Sequence, residues 1–94
     1  MNENKVKSQI QNYLKQIGAY QFKVHGDIYM RAGIPDLICC VKGRFVGIEC
    51  KDYGNKPSEL QLAHGRQIVK NGGIFIVAYC VEDVEKALKN AKII

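Results

Sequence analysis

The stretch that most limits how this chain can fold is Gly33-Ile34-Pro35-Asp36, followed by an apolar run, a Lys42-Gly43-Arg44 turn, and a second run ending in Glu49-Cys50-Lys51. Leu37 to Val41 and Phe45 to Ile48 suit a buried pleated sheet, and the glycine between them makes the pair a hairpin. Side chains alternate along a strand, so Glu49 and Lys51 point one way and Cys50 the other. A two-residue loop at Lys42-Gly43 sets Asp36 opposite Glu49, and one at Gly43-Arg44 sets it opposite Lys51. Either register gathers Asp36, Glu49 and Lys51 on one face. A three-residue loop without a bulge would set Asp36 opposite Cys50 and dissolve the cluster.

Two carboxylates and an ammonium at the end of an apolar hairpin need partners if they are half-buried. Magnesium is a natural one: it takes oxygen ligands at about 2.0 to 2.1 Å and uses one or two protein carboxylates while keeping waters. Asp36 and Glu49 could supply those ligands, and the ion would polarise a phosphoryl oxygen and acidify a bound water. Lys51 would orient or deprotonate that water, or stabilise charge on the phosphate. The competing reading is a solvated Glu-x-Lys pair at a strand end, with Asp36 in ordinary turn duty after Pro35. Glu-x-Lys alone favours that reading; joined to Pro-Asp at hairpin distance, it favours the metal.

Pro35-Asp36 a hairpin upstream of Glu49-x-Lys51 resembles the signature of the PD-(D/E)XK nuclease superfamily. Within it, Gly33-Ile34-Pro35-Asp36, Ile48-Glu49-Cys50-Lys51, Lys56-Pro57-Ser58 and Gln61 resemble the virus-type replication-repair nuclease (VRR-NUC) domain, from about Lys5 to Val84. The resemblance implies a restriction-endonuclease-like α/β core: a small mixed sheet of about four strands flanked by helices, in the order α-β-β-β-α-β-α. It implies a Mg²⁺-dependent endonuclease, with Mn²⁺ able to substitute, acting on branched DNA. Standalone domains of this size in the family are phage or bacterial proteins that resolve Holliday junctions as homodimers. It further implies that Asp36, Glu49 and the backbone carbonyl of Cys50 bind metal, and that Asp36, Glu49, Lys51 and Gln61 are catalytic. His25, Arg31 and Lys56 would touch DNA. A flap or nonspecific nuclease, or a catalytically decayed basic DNA-binding module, are the alternatives.

Ninety-four residues make one domain, 1–94, with room for a single core. A formal charge of +5 and a pI near 9.1 suit a polyanionic partner and equally suit plain solubility. Cys39, Cys40, Cys50 and Cys80 fall in predicted strands without Cys-x-x-Cys spacing, which reads as buried reduced thiols rather than zinc ligands. With no signal peptide and no membrane-length apolar run, the expectation is an intracellular, cytoplasmic protein with no membrane partner and no small-molecule cofactor.

Val6, Ile10, Leu14 and Ile17 recur at helical spacing from Lys5 to about Ile17, and Gly18 ends that helix. The family helix carries a Glu one turn before the residue corresponding to Ile10; here Lys7 holds that place, so no acidic role is carried over to the helix. Glu3 lies one turn earlier and could lean toward the site, but at a terminus expected to fray. Ala19 to Val24 reads as a first strand, and Tyr29 and Met30 as core or dimer contacts. Apolar residues on both faces of the hairpin predict helices covering both sides. Asp52 to Pro57 is a polar loop in which Lys56 is a phosphate contact or merely solvated.

Ser58-x-x-Gln61 has the form of a capping box, a duty that competes with any catalytic one for the same amide. The helix it opens would bury Leu60, Ala63, His64 and Ile68 and stop at Asn71-Gly72-Gly73. Ile74 to Cys80 reads as a strand parallel to the second hairpin strand, because a helix crosses over between them. A last helix begins near Glu82, with Val84, Ala87 and Leu88 inward and Lys86, Lys89 and Lys92 outward.

Overall fold

The computed structural model describes residues 2–25 and 32–94. Its elements run α1 (Glu3–Gln16), β1 (Tyr20–Lys23), β2 (Leu37–Val41), β3 (Arg44–Cys50), α2 (Glu59–Lys70), β4 (Ile74–Ala78) and α3 (Val81–Asn90), the order the sequence predicts. The four strands form one mixed sheet in the order β1-β2-β3-β4, antiparallel except for the parallel pairing of β3 with β4. That exception follows from α2, which carries the chain back to the starting end of β3 before β4 begins. Among the described residues no helix is long and apolar enough to cross a membrane.

The hairpin register is set at its tip. Lys42 and Gly43 both have positive φ, 48° and 84°, so the turn is the two-residue primed type whose twist matches the strands. Leu37 therefore faces Ile48 and Val41 faces Arg44. One rung further, Asp36 falls opposite Glu49, the first of the two registers that gather the charged trio.

Strand alternation puts Leu37, Cys39, Val41, Val46, Ile48, Cys50, Ile76 and Ala78 on one face, where they are buried against Val6, Ile10 and Leu14 of α1 and Val84 and Leu88 of α3. This is the hydrophobic core, and it fixes the rotation of α1 about its axis.

The opposite face carries α2, so helices lie on both sides of the hairpin as expected, but that face is covered only in part. Helix α2 lies over β3 and β4. It approaches closely because Gly65 and Gly47 lack side chains: a methyl on Gly65 would meet Phe75 Cγ at 2.7 Å, and one on Gly47 would meet Ile68 Cδ1 at 2.9 Å. Tyr20, Phe22, Cys40 and Phe45 on the same side of the sheet stay exposed, with the Tyr20 and Phe22 rings edge to face. Gly65 is the buried residue of α2, and Leu60, expected inside, is exposed. Cys80 also departs from expectation, standing at the N-cap of α3 rather than in a strand. All four thiols are free; Cys40 is exposed, and burial pushes Cys39 and Cys50 up to about 12.

Candidate active site

Gly33 to Asp36 enters β2 across the first turns of α2. Gly33 has φ +86°, and a methyl there would meet Leu60 Cγ at 2.7 Å and His64 Cδ2 at 3.0 Å, so both backbone and space demand glycine. Pro35 is buried against Gly47. These contacts deliver Asp36 to the end of the hairpin, where its Oδ2 accepts the backbone N–H of Cys50 at 2.9 Å. That hydrogen bond spans the two strands and fixes the carboxylate beside Glu49.

Glu49 is only 1 % exposed and is the one buried charged residue among those described. Its Oε2 has no hydrogen-bond partner among the described residues. Burial, followed by its hydrogen bond to and the charge of Asp36, pushes its pKa from 4.5 up to about 9, against the opposing influence of Lys51. A buried, unpartnered carboxylate oxygen is costly unless something completes its shell.

The third acid comes from α1. Carboxylate oxygens of Glu3, Asp36 and Glu49 all lie within 4.8 Å of one another. Glu3 does not sit on a frayed end: Asn2 caps the helix by accepting Lys5 N–H at 2.9 Å, and Val6 in the next turn is core. The sequence names Glu3 as able to lean toward the site but gives it no role on the expectation of fraying; Asn2 before Glu3 was the capping signal against that expectation. Lys7, one turn on, places Nζ 3.6 Å from Asp36 Oδ1.

Three hard oxygen donors, one of them orphaned, form the donor set a small divalent cation takes, so the residues present fit a magnesium-type ion. Asp52, next to Lys51, has a second buried oxygen, Oδ1, without a partner among the described residues.

Other predicted site residues fall nearby or elsewhere. Lys51 continues β3, its N–H donating to Ala78 O at 3.0 Å. His25 is exposed and follows Val24, whose N–H donates to Asp36 O at 2.8 Å, so it stands at the acids' end of the sheet. Lys56 is exposed in the loop after β3. Gln61 completes the capping box: its Oε1 accepts Ser58 N–H at 2.8 Å and its N–H donates to Ser58 Oγ at 3.1 Å. Only its amide nitrogen is left for a substrate. Arg31, Tyr29 and Met30 lie outside the described residues.

No protein-family model and no curated protein matches the chain. Solved structures do. A VRR_NUC domain superposes with a TM-score of 0.75 at 25 % identity, covering 93 % of this chain and 94 % of the other. A VRR_NUC domain protein superposes with a TM-score of 0.76 at 20 % identity, covering 99 % of this chain and 90 % of the other. Superposition over nearly the full length of both chains, joined to the order and spacing of the Pro-Asp and Glu-x-Lys motifs, gives the chain the fold of these VRR_NUC domains and supports its reading as one.

Proposed function

We propose that this protein is a divalent-metal-dependent endonuclease that hydrolyses phosphodiester bonds in branched DNA, resolving four-way junctions as a homodimer. The observation that carries the reading is the buried Glu49 carboxylate, its Oε2 unpartnered among the described residues and its oxygens grouped with those of Asp36 and Glu3. Asp36 and Glu49 would hold Mg²⁺ or Mn²⁺, with the Cys50 carbonyl and Glu3 completing the protein's share. Such an ion supplies Lewis acidity toward a phosphoryl oxygen and toward water.

The chain's own residues do the rest. Lys51 directly follows β3, and its charge opposes the rise in the Glu49 pKa; its ammonium would orient the attacking water and balance charge that develops on the phosphate. His25, Arg31 and Lys56 serve as phosphate contacts, and the Gln61 amide nitrogen is a further donor. A domain this small has little surface to grip a junction; a two-fold dimer doubles it and supplies two incisions. The open apolar surface around Tyr20, Phe22 and Phe45 is compatible with such a partner.

Incubating the protein with a synthetic four-way junction and Mg²⁺, then mapping nicks on each arm, tests this. Paired symmetric nicks are expected. Asp36→Ala, Glu49→Ala and Lys51→Ala should each abolish cutting while binding in EDTA persists. Linear duplex cut as fast as a junction would instead indicate a nonspecific nuclease.

One observation favours a second reading, a DNA-binding module without catalysis: the Lys7 ammonium already neutralises part of the Asp36 charge. Under that reading the unmutated protein binds DNA and does not cut it, whichever divalent metal is supplied.

A further inference from the structure

The loop after β3 carries an aromatic feature that phosphodiester hydrolysis does not use. The rings of Tyr53 and Tyr79 are stacked, with centroids 5.8 Å apart and planes inclined by 20°. Both tyrosines leave the same end of the sheet: Tyr53 lies two residues beyond Lys51, and Tyr79 directly follows Ala78, whose carbonyl accepts the Lys51 N–H. That is the end of β3 on which Glu49 stands.

The pair is held in place from below. Tyr79 is half-buried, and its hydroxyl donates to the Asn55 carbonyl at 2.7 Å, which ties the loop to the end of β4. Its backbone N–H donates to Asp83 Oδ2 at 2.8 Å, anchoring that residue to the first turn of α3. Tyr53, in contrast, is 77 % exposed: one ring face rests on Tyr79 and the other is open. A side chain this exposed adds little to the core, so its burial does not explain the arrangement.

Beside the rings lies a cleft of about 330 Å³ lined by Tyr53, Gly54, Asn55, Lys56 and Tyr79. A fixed aromatic face, an adjacent cleft and a neighbouring ammonium together match what unpaired nucleotides bind: bases stack on the ring and the cation takes the phosphate.

We propose that the Tyr53–Tyr79 stack is a platform for one unpaired nucleobase of the substrate strand, with Lys56 holding that nucleotide's phosphate. The platform rests on the nuclease reading for its substrate. Duplex DNA keeps its base faces covered by neighbouring pairs, whereas a branch point or frayed end exposes one. The stack thereby favours DNA with an unpaired nucleotide next to the acids.

The test uses the full chain in EDTA and measures anisotropy with a short single-stranded thymidine oligonucleotide and with a blunt duplex of equal length. Tyr53→Ala should weaken single-strand binding about tenfold and leave duplex binding within about twofold. Tyr53→Phe and Tyr53→Trp should retain single-strand binding, because the ring rather than the hydroxyl stacks. Lys56→Ala should weaken both ligands and flatten the salt dependence. Equal loss on both ligands with Tyr53→Ala, no loss on single strands, or no single-strand binding by the unmutated protein would overturn the platform. Junction cutting that persists without any Tyr53 effect removes the platform and leaves the nuclease. Tyr53-dependent single-strand binding by a protein that cuts nothing removes the nuclease and leaves the platform.

Discussion

Lys7 Nζ stands 3.6 Å from Asp36 Oδ1, so a fixed ammonium shares the carboxylate that the metal reading assigns to a cation. Both side chains are largely shielded, 13 % and 22 % exposed, so the pair is screened less than a surface one. A divalent ion approaching Asp36 meets a positive charge already in place, and the ammonium must turn aside or tolerate it.

Lys7→Ala should therefore tighten divalent binding. A pair of this kind is worth roughly 1 kcal/mol, which corresponds to about a fivefold lower metal concentration for half-maximal cutting. Titrating Mg²⁺ against junction cleavage measures it, and a higher metal concentration for half-maximal cutting in the variant would show that Lys7 assists rather than competes. Lys7→Glu should exceed Lys7→Ala in this respect.

Glu3→Gln should act in the opposite direction. Removing one of three grouped carboxylates lowers metal affinity by an estimated tenfold, while the helix stays intact because the Asn2 cap is untouched. Calorimetric Mn²⁺ titration, beside a circular-dichroism melt showing an unchanged fold, separates the two effects.

If Glu49 is a ligand, as proposed, metal binding should depend on pH. Its pKa is raised to about 9 by burial and by Asp36, so in the metal-free protein the carboxyl is protonated at neutral pH. Coordination requires the anion; binding should release about one proton near pH 7, and apparent affinity should climb about tenfold per pH unit until it levels off near pH 9. Calorimetry in buffers of differing ionisation enthalpy counts that proton. For folding, the sign is fixed by a native pKa above the unfolded one. The stabilisation is fully present below about 4.5 and is lost as pH rises toward about 9. Glu49→Gln should flatten this decline, so its metal-free melting temperature exceeds that of the unmutated protein on the alkaline side by several degrees, on the order of 5 °C.

Gly65→Ala should destabilise although alanine is the better helix former by about 1 kcal/mol. The added methyl runs into the Phe75 ring, and overpacking of this kind costs about 1–3 kcal/mol, so steric cost outweighs propensity and the melting temperature falls. Combining it with Phe75→Val should recover part of the loss, a coupling that thermal or urea unfolding of the four proteins in the cycle detects.

How much of this was legible in the sequence depended on whether the information was local. Turn length and strand alternation narrowed the two-residue hairpin to two registers, both gathering Asp36, Glu49 and Lys51 on one face, and the Lys42-Gly43 turn takes the one that sets Asp36 level with Glu49. The Ser58–Gln61 box was equally local, and both of its hydrogen bonds are present. The contacts of Lys7 and Glu3 were not: they depend on where α1 docks and how it is rotated, which Val6, Ile10 and Leu14 settle only once the sheet exists. The open side of β1 and β2 escaped for a related reason, since apolar residues such as Phe22, Cys40 and Phe45 indicate an affinity for cover without saying whether one helix is wide enough to provide it.

The Lys42-Gly43 turn lies five rungs of ladder from the acids, roughly 17 Å at about 3.4 Å per rung, and touches none of them. Yet that remote bend decides which residues meet: had the same chain turned on three residues, Lys42-Gly43-Arg44, Cys50 would stand level with Asp36 and the oxygens gathered there would scatter. Distance from the chemistry is thus no measure of tolerance in this domain: what the tip must keep is a pair of residues that both hold positive φ.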